Sequence, residues 1–307
     1  MVQLNSRQFK PNISVIMPVY NADRFLRQAV ESILFQSFSN FEFIIIDDCS
    51  TDQTCYILND YKKKDDRIKI FKNNQNLGVA KSLNFALNLA TANYVARMDA
   101  DDISEPQRLE EQYNFMVRNP SVTILGSALC CIDENENVIS KRQFPINSND
   151  ITNSLLTSFP IAHPTVMMVR DRIVSAGGYR ADFNYAEDYE LWLRAVALGY
   201  EIRNLEAQLL RYRVAVKGVT QTKADLQFLL CETARIFFLN NILLDKALFS
   251  PETGISELIQ RAQHYMSSEA FVDLERISKS VHKKNNYFFK YFCNPLKFLF
   301  HKLGGLN

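Results

Sequence analysis

Three aspartates crowd the end of one short stretch, Tyr94-Val95-Ala96-Arg97-Met98-Asp99-Ala100-Asp101-Asp102. Residues 94–98 are mostly apolar, which is typical of a buried strand. The carboxylates follow at its carboxyl end, where sheets covered by helices place their ligand crevice. Like charges this close repel, and a hard divalent cation, which prefers oxygen ligands, relieves the repulsion. The pattern predicts a metal that bridges the protein to a phosphorylated ligand.

The same stretch has a simpler interpretation as a polar loop that leads into a helix. An aspartate near a helix N-terminus is favourable by itself. Ser104 and Pro106 fit a cap and a first-turn residue of such a helix. On these residues alone both interpretations stay open, and the rest of the chain has to decide between them.

Short apolar runs alternate with amphipathic segments over the first hundred residues. Because the runs are apolar throughout, the predicted sheet must be parallel and covered by helices on both faces, which indicates an α/β domain. We predict strands at 13–17, 41–46, 67–71 and 94–98, and helices at 22–36, from the turn at 47–52 to about 64, and at 77–90.

The pattern changes after Glu105, where strands and helices are less regular. Gly199 is the predicted end of the helix that begins at 186. We predict helices at 106–119 and 151–158, strands at 122–129, 138–140 and 166–169, a turn at 177–179, and closing strands at 202–205 and 209–214.

A phosphate-cradling glycine loop is missing from the sequence. Dinucleotide-binding folds carry GxGxxG directly after the first strand, where this chain has Pro18-Val19-Tyr20-Asn21. The chain has 9 glycines in total and no Walker A loop. This excludes a nucleotide-dependent oxidoreductase. The phosphates of a bound nucleotide must be neutralised by another group, which the acidic stretch with a cation would supply.

Composition narrows the class of protein further. The chain has 307 residues, a hydrophobic content of 47% and a net charge of +1, so nothing favours nucleic acid as a partner. Its six cysteines show no CxxC and no zinc spacing, which suits reduced thiols in the cytosol. No signal peptide and no run of membrane-spanning length is recognised, so we expect a cytoplasmic protein.

The C-terminal region has a different character. After about Lys217 the chain is apolar over 224–248, where we predict a helix, and from Arg276 to Asn307 it has no acidic residue. Basic and aromatic residues alternate there, a pattern that predicts peripheral contact with an anionic membrane surface. The alternative is a packed C-terminal helix with a solvated basic face.

Four stretches in their order and spacing resemble the family 2 glycosyltransferases with the GT-A fold. More narrowly, they are similar to bacterial enzymes that build capsule, O-antigen and lipooligosaccharide chains. The resemblance extends from about Pro11 to Val214. The stretches are Pro18-Val19-Tyr20-Asn21, Asp47-Asp48 with Ser50-Thr51-Asp52, Asp99-Ala100-Asp101-Asp102, and Glu187-Asp188 before Glu190-Leu191-Trp192-Leu193-Arg194.

The resemblance implies a GT-A catalytic domain over 1–215 and a C-terminal helical, membrane-associating extension over 216–307. Within the domain, residues 11–102 would form the Rossmann-like nucleotide-sugar-binding part, a sheet with helices on both faces. Residues 103–215 would form the acceptor-binding part that is merged with it.

The nucleotide would be recognised by two loops. Asp48 matches the family's base-reading carboxylate, and an acceptor of this kind suits the ring N–H of uracil. Pro18, Tyr20 and Asn21 match the loop that packs on the base, for which a tyrosine ring offers a flat apolar face. Without the resemblance this loop would be interpreted as a plain turn, and Asp52 as a helix cap.

The diphosphate and the metal would be held by the acidic stretch. Asp99 matches the residue near the ribose and diphosphate, and Asp101 the direct metal ligand, so Mn²⁺ or Mg²⁺ is the implied cofactor. Asn76 and Lys81 would reach the diphosphate, although Lys81 equally suits a solvated helix position. Asp102 fits a helix cap better than a ligand.

Asp188 matches the family's general base. Inversion by direct displacement requires a carboxylate that takes the acceptor's hydroxyl proton. A helix start would keep Asp188 ionised, although it also suits an ordinary first turn. His163 and Glu187 are lesser candidates for acceptor contacts, and Trp192 is predicted to be core.

One position departs from the family pattern. Relatives often carry a histidine near the metal just after the last strand's Tyr-Arg, and here Tyr212-Arg213 is followed by Val214-Ala215-Val216-Lys217. The metal would therefore have fewer protein ligands, with Lys217 as a candidate positive charge beside the diphosphate.

The implied activity is that of an inverting hexosyltransferase. It would move a hexose or N-acetylhexosamine from a UDP-sugar to a hydroxyl of a glycan or lipid-linked oligosaccharide acceptor, on the inner face of a bacterial cell membrane. The alternative from another class is a catalytically weak or inactive GT-A scaffold that binds nucleotide-sugar or glycan at the membrane.

Overall fold

The computed structural model describes residues 10–155, 158–214, 227, 230, 231, 233–235 and 238. These residues form two compact units. Those of the first unit fall within Met1–Ser148, Ile161–Tyr179 and Tyr200–Ala215, and those of the second within Asn149–Pro160, Arg180–Gly199 and Val216–Asn307. The predicted division of the chain at residue 215 stays a prediction.

The first unit begins with a parallel half-sheet. The strands β1 (Ile13–Val19), β2 (Phe41–Asp47), β3 (Ile68–Lys72) and β4 (Tyr94–Arg97) lie in the order β3-β2-β1-β4. The helices α1 (Leu26–Leu34), α2 (Thr54–Lys62) and α3 (Val79–Leu89) connect consecutive strands. All three strand pairs are parallel, which confirms the prediction from the alternating pattern.

Beyond β4 the sheet becomes mixed. The remaining strands are β5 (Ile103–Ser104), β6 (Val122–Ile132), β7 (Val138–Arg142), β8 (Met167–Val169) and β9 (Glu201–Arg213). The order continues β4-β8-β6-β9-β5, and β7 pairs with the other end of β6 as a hairpin. The helices α4 (Arg108–Arg118) and α6 (Arg170–Ser175) belong to this part.

Both faces of the parallel half-sheet are covered. Alternate residues of β1, such as Ile13, Val15 and Met17, lie in the main apolar core together with the buried face of α1. Ile16 of β1 and Ile44 of β2 point to the opposite face and are also fully buried. The strands are apolar throughout for this reason, as the sequence predicted.

The first strand continues past its predicted end. Pro18 lies inside β1 and pairs in register with Ile46 of β2. The pairing of β1 with β4 ends at Ile16, whose carbonyl accepts from the Met98 amide. Since residues i and i+2 of a strand direct their backbone groups to the same side, the N–H that proline lacks falls where β4 no longer pairs.

The predicted closing strands are a single strand, β9. Along it Leu205 pairs opposite Ser127, but Gln208 pairs opposite Ala128, so a bulge accommodates the polar interruption. Two elements, β5 and α6, have no predicted counterpart because they are too short to show a period. The predicted cap at Ser104 is wrong: Ser104 lies in β5, and α4 begins at Arg108.

The second unit contains two helices, α5 (Ser148–Leu155) and α7 (Glu187–Ala197). The first residue of α5, Ser148, still belongs to the first unit. The described residues between 227 and 238 are helical, in agreement with the predicted helix over 224–248. Lys217 and the basic, aromatic tail over 276–307 lie outside the described residues. Among the residues that are described, no helix is long and apolar enough to cross a membrane.

Candidate active site

Three loops of the first unit converge at the carboxyl edge of the parallel strands. The Asp48 amide donates to the Val19 carbonyl over 2.8 Å, which joins the ends of β2 and β1. The Met98 amide donates to the Ile16 carbonyl over 3.0 Å, which joins the end of β4 to β1. The loops that follow β1, β2 and β4 are therefore brought to one edge, as their positions after apolar runs predicted.

The first two of these loops are tied to each other through Asn21. The Asn21 amide donates to Ser50 Oγ over 3.0 Å, and the Thr51 amide donates to Asn21 Oδ1 over 2.9 Å. Asn21 has a φ of 48°, a left-handed conformation that asparagine tolerates. Tyr20 is 50% exposed, so its ring is available to a planar ligand.

Asp48 is a tightly held carboxylate with a single acceptor position left. Its Oδ1 accepts from Asn73 Nδ2 over 2.7 Å and from the Leu77 amide over 2.9 Å, and its Oδ2 accepts from the Gly78 amide over 2.8 Å. A carboxylate has about four lone-pair sites, so about one is left on Oδ2. Asp48 fixes the loop between β3 and α3, and sequence reasoning missed Asn73 as its partner.

Replacing Asp48 with asparagine is expected to destabilise the protein by about 1–3 kcal/mol. An amide accepts on one atom only, so its NH₂ would face the N–H groups of Leu77 or Gly78. Denaturant unfolding measures the loss of stability, and Asp66→Asn, at an exposed position, is the matched control. Unchanged stability in Asp48→Asn would contradict the role of Asp48 in fixing this loop.

Asn76 and Lys81 flank the same loop. Asn76 is exposed, and its Oδ1 accepts from the Gly78 amide over 3.2 Å. Lys81 is exposed on the first turn of α3. Both side chains therefore belong to the segment that Asp48 fixes, and their diphosphate contacts stay predictions.

The acidic loop after β4 forms a compact oxygen cluster. Asp99, Asp101 and Asp102 each offer a carboxylate oxygen, and these atoms lie within 4.8 Å of one another. Burial, followed by repulsion from Asp99, raises the pKa of Asp101 to about 6. Burial and the charges of Asp99 and Asp101 also raise the pKa of Asp102. Burial and repulsion among the aspartates therefore outweigh the charge of Arg97 at both of these carboxyls.

The free oxygen of Asp102 tests whether these residues suit a divalent cation. Asp102 is 1% exposed, and its Oδ2 has no hydrogen-bond partner among the described residues. A buried, unpaired carboxylate oxygen is costly unless a cation or proton meets it. Carboxylate oxygens are also the ligands that Mg²⁺ and Mn²⁺ prefer. The residues present fit such an ion.

Asp102 does not cap a helix, so that interpretation of the sequence is wrong. The α4 helix begins at Arg108, and Asp102 Oδ1 accepts instead from the Arg213 amide over 2.8 Å. Arg213 Nε donates to the Asp101 carbonyl over 2.9 Å, and its guanidinium lies over the Phe25 ring at 4.2 Å. Arg213 therefore fixes the acidic loop from the end of β9.

Two further arginines support the acidic loop, and the sequence did not predict their roles. Arg97 Nη1 donates to Asp99 Oδ2 over 2.5 Å, and Arg108 Nη2 donates to the Arg97 carbonyl over 2.7 Å. Burial alone would lower the pKa of Arg97, but Asp99, Tyr179 and Asp102 together outweigh burial and raise that pKa. Burial and the charge of Arg97 lower the pKa of Arg108 to about 9.

His163 lies in a short 3₁₀ turn of the first unit and is buried. Its Nε2 and the Tyr179 hydroxyl are 2.9 Å apart and share a hydrogen bond. Burial, followed by the charge of Arg97, holds the pKa of His163 well below its usual range, so the imidazole is neutral at pH 7. Its predicted acceptor contact stays a prediction.

In the second unit, Asp188 lies in the first turn of α7, as predicted. It is partly exposed, and its Oδ1 accepts from the Tyr189 amide over 2.7 Å. Glu187 is buried, and its Oε2 accepts from the Tyr185 amide over 2.8 Å. Tyr185 itself has a φ of 84°, which is strained for a residue other than glycine. Trp192 is buried, which confirms its predicted place in the core.

Comparison with known proteins gives evidence that is independent of this geometry. Residues 14–178 match the family described as Glycosyl transferase family 2. An Escherichia coli protein named O-antigen biosynthesis glycosyltransferase WbnJ is 38% identical over 216 residues, which cover 68% of this chain and 82% of that protein.

Two solved structures share the fold. S. aureus TarS 1–349 in complex with UDP has a TM-score of 0.61 and 22% identity, over 84% of this chain and 73% of that one. Mannosyltransferase PcManGT from Pyrobaculum calidifontis, in complex with GDP-Man and Mn²⁺, has a TM-score of 0.58 and 16% identity, over 93% and 86%. The fold is the predicted GT-A fold. The chain belongs to glycosyl transferase family 2 and is a glycosyltransferase.

Proposed function

We propose that the chain is an inverting glycosyltransferase that transfers a hexose or N-acetylhexosamine from a UDP-sugar to a hydroxyl of a surface glycan. The observation that carries this proposal is that the Asp48 loop and the acidic cluster lie at one edge of the sheet. The three carboxylates of the cluster have oxygens within 4.8 Å of one another. The name of the E. coli relative, an O-antigen biosynthesis glycosyltransferase, supports a surface glycan as the product.

Uracil is the base that the Asp48 loop suits best. Asp48 has about one acceptor site left, and uracil presents one ring N–H between two carbonyls. Guanine would present two neighbouring donors, for which this single site is insufficient. Tyr20, with its exposed ring, would pack on the base. That TarS is known in complex with UDP agrees with this choice, whereas PcManGT was solved with GDP-Man.

Asp101 and Asp99 would hold Mn²⁺ or Mg²⁺ together with the unpaired oxygen of Asp102. When bound, the ion supplies positive charge for the diphosphate that leaves with the nucleotide. Arg97 and Arg213 hold the ligand side chains and their backbone in place.

Asp188 is proposed as the general base. The acceptor oxygen forms a bond to the anomeric carbon while the bond from that carbon to the β-phosphate oxygen breaks. The hydroxyl proton passes to the Asp188 carboxylate. Its position in the first turn of α7 favours the ionised form, because the helix N-terminus is positive. Acceptor contacts of His163 and Glu187 stay predictions.

The acceptor is proposed to be a lipid-linked oligosaccharide at the inner face of the cell membrane. The sequence over 276–307, basic and aromatic without an acidic residue, supports peripheral contact with anionic lipid. The protein would act on the cytoplasmic side of that membrane.

A thermal unfolding screen tests the proposed donor. UDP and one or more UDP-sugars, at about 100 times their Kd and with Mn²⁺, are expected to add about 2.7 kcal/mol of stability, or about 5 °C in Tm. EDTA should remove most of this shift, and GDP should give a smaller one. Equal shifts for GDP and UDP would contradict the proposed base recognition, and no shift for any nucleotide would overturn the donor.

A further inference from the structure

The described helical residues between 227 and 238, here called the 227–238 helix, lie in the second unit, beyond the residues that match the family, 14–178. Its buried side chains recur at helical spacing and include Leu230, Cys231, Ala234 and Phe238. A stripe of this kind shows that one face of the helix is covered. Two polar side chains of this helix, Gln227 and Arg235, contact the residues that surround Asp188 in sequence.

Gln227 holds the backbone before Asp188. Its Nε2 donates to the Tyr185 carbonyl over 2.9 Å, while the Tyr185 amide donates to Glu187 Oε2 over 2.8 Å. Tyr185 has a φ of 84°. A conformation like this costs about 1–3 kcal/mol and persists only where the surroundings fix it. Gln227 and Glu187 therefore hold the strained turn from both sides.

Arg235 holds the residue after Asp188. Its Nε donates to the Tyr189 hydroxyl over 2.5 Å, and that hydroxyl donates to the Leu155 carbonyl. The guanidinium lies 5.1 Å from the centre of the Tyr189 ring and 6.0 Å from that of Phe159. Tyr189 is 1% exposed, so its ring is fixed in the interior together with the first turn of α7.

We propose that Gln227 and Arg235 are positioning residues for Asp188. Gln227 binds Tyr185, which precedes Asp188 in sequence, and Arg235 binds Tyr189, which follows it. This inference rests on the proposed role of Asp188 as general base. It gives the 227–238 helix a part in catalysis, besides any contact of the chain with a membrane. A displacement of about 1 Å in a catalytic group can cost about 100-fold in rate, so loss of either contact is expected to slow turnover.

Hydrogen exchange of the full chain tests the contacts without any assay of activity. In Arg235→Met and Gln227→Leu, amides over 185–190 are expected to exchange about 10-fold faster or more, as loss of one buried hydrogen bond produces. Peptides from β1 to β4 should be unchanged. Arg203→Met, which breaks an ion pair with Glu201 in the first unit, is the matched control. Unchanged exchange over 185–190 in both variants would overturn the inference.

Turnover then separates positioning from a purely structural role. For a UDP-sugar that wild-type hydrolyses with Mn²⁺, Arg235→Met is expected to lower kcat by about 10-fold or more, while the KM of the donor and the Kd of UDP stay within about twofold. Arg235→Lys should recover part of kcat, since its ammonium can donate to Tyr189. A proportional loss of kcat and UDP binding would show a structural role and overturn the inference.

Two comparisons keep these outcomes distinct. If Arg235→Met does not fold, Gln227→Leu, which removes a single neutral hydrogen bond, decides by the same two measurements. Equal turnover in wild-type and Asp188→Asn would overturn the proposed role of Asp188 as the base. That comparison does not depend on the Gln227 or Arg235 variants. Faster exchange with unchanged kcat in both helix variants would overturn positioning alone.

Discussion

Replacing Asp188 with asparagine is expected to lower kcat by about 10²–10⁴-fold, the usual contribution of a general base. Asparagine keeps the size of the side chain and its acceptor for the Tyr189 amide, but it cannot take a proton. In the proposed function UDP binds to residues of the first unit, whereas Asp188 lies in the second. The affinity of the variant for UDP should therefore be unchanged. UDP release from the donor found in the thermal screen, together with calorimetry, measures both quantities.

Asp150→Asn is the matched control for this variant. Asp150 is an exposed first-turn residue of α5, so the same change is made at an equivalent helix position. It should leave kcat within about twofold of wild-type, as expected for an exposed surface change. If Asp188→Asn kept most of the wild-type turnover, Asp188 would not be the base.

Replacing Asp101 with asparagine is expected to lower the Mn²⁺-dependent affinity for UDP by about 100-fold or more. Loss of a residue that merely supports a metal ligand costs about 10–100-fold, so loss of a direct ligand should reach the upper end. The affinity measured in EDTA should not change. Calorimetry with and without Mn²⁺ gives both values for each variant.

Asp171→Asn is the control here, because the Asp171 side chain is 80% exposed and far in sequence from the acidic loop. It should preserve the Mn²⁺-dependent gain in affinity. If Asp101→Asn preserved that gain as well, the acidic cluster would not hold the ion.

The same variant should be more stable than wild-type in the absence of metal. The pKa of Asp101 is raised to about 6 by burial and by Asp99, so its ionised form destabilises the folded state. Because the carboxyl has its ordinary pKa of 3.8 in the unfolded chain, stability is lost as the pH rises from about 4 to about 6. In EDTA, Asp101→Asn should therefore have the higher Tm above pH 6, and the difference should shrink as the pH falls and vanish below about pH 4.

Much of the parallel half-sheet could be predicted because its signals are local. The apolar run and the aspartates that follow it, over 94–102, sit side by side in sequence, and the parallel sheet brings strand ends together by topology alone. The observed strand boundaries differ only slightly from the predicted ones. Pro18, for example, lies inside β1, because the N–H that it lacks falls where β4 no longer pairs.

The supporting residues could not be predicted because their partners are distant in sequence. Asp102 followed by Ser104 and Pro106 suggested a helix cap, yet its partner is the amide of Arg213, 111 positions away. Arg108 was predicted only as part of a helix, although it is fully buried against the Arg97 carbonyl. Buried arginines carry no local pattern that separates them from solvated ones.

The region around Asp188 shows the same limit. Glu187 and Asp188 are equivalent acidic residues in sequence, but the structure buries Glu187 against the Tyr185 amide and leaves Asp188 partly exposed. No periodic signal indicates that Tyr185 has a positive φ or that Arg235 reaches Tyr189. Tertiary contacts determine which of the two carboxylates is available to a substrate.

A crystal structure with UDP and Mn²⁺ tests the central claim most directly. An anomalous difference peak for manganese should lie between the diphosphate and the carboxylates of Asp99, Asp101 and Asp102, with the uracil ring N–H on Asp48. A manganese ion or a uracil bound away from these side chains would contradict it.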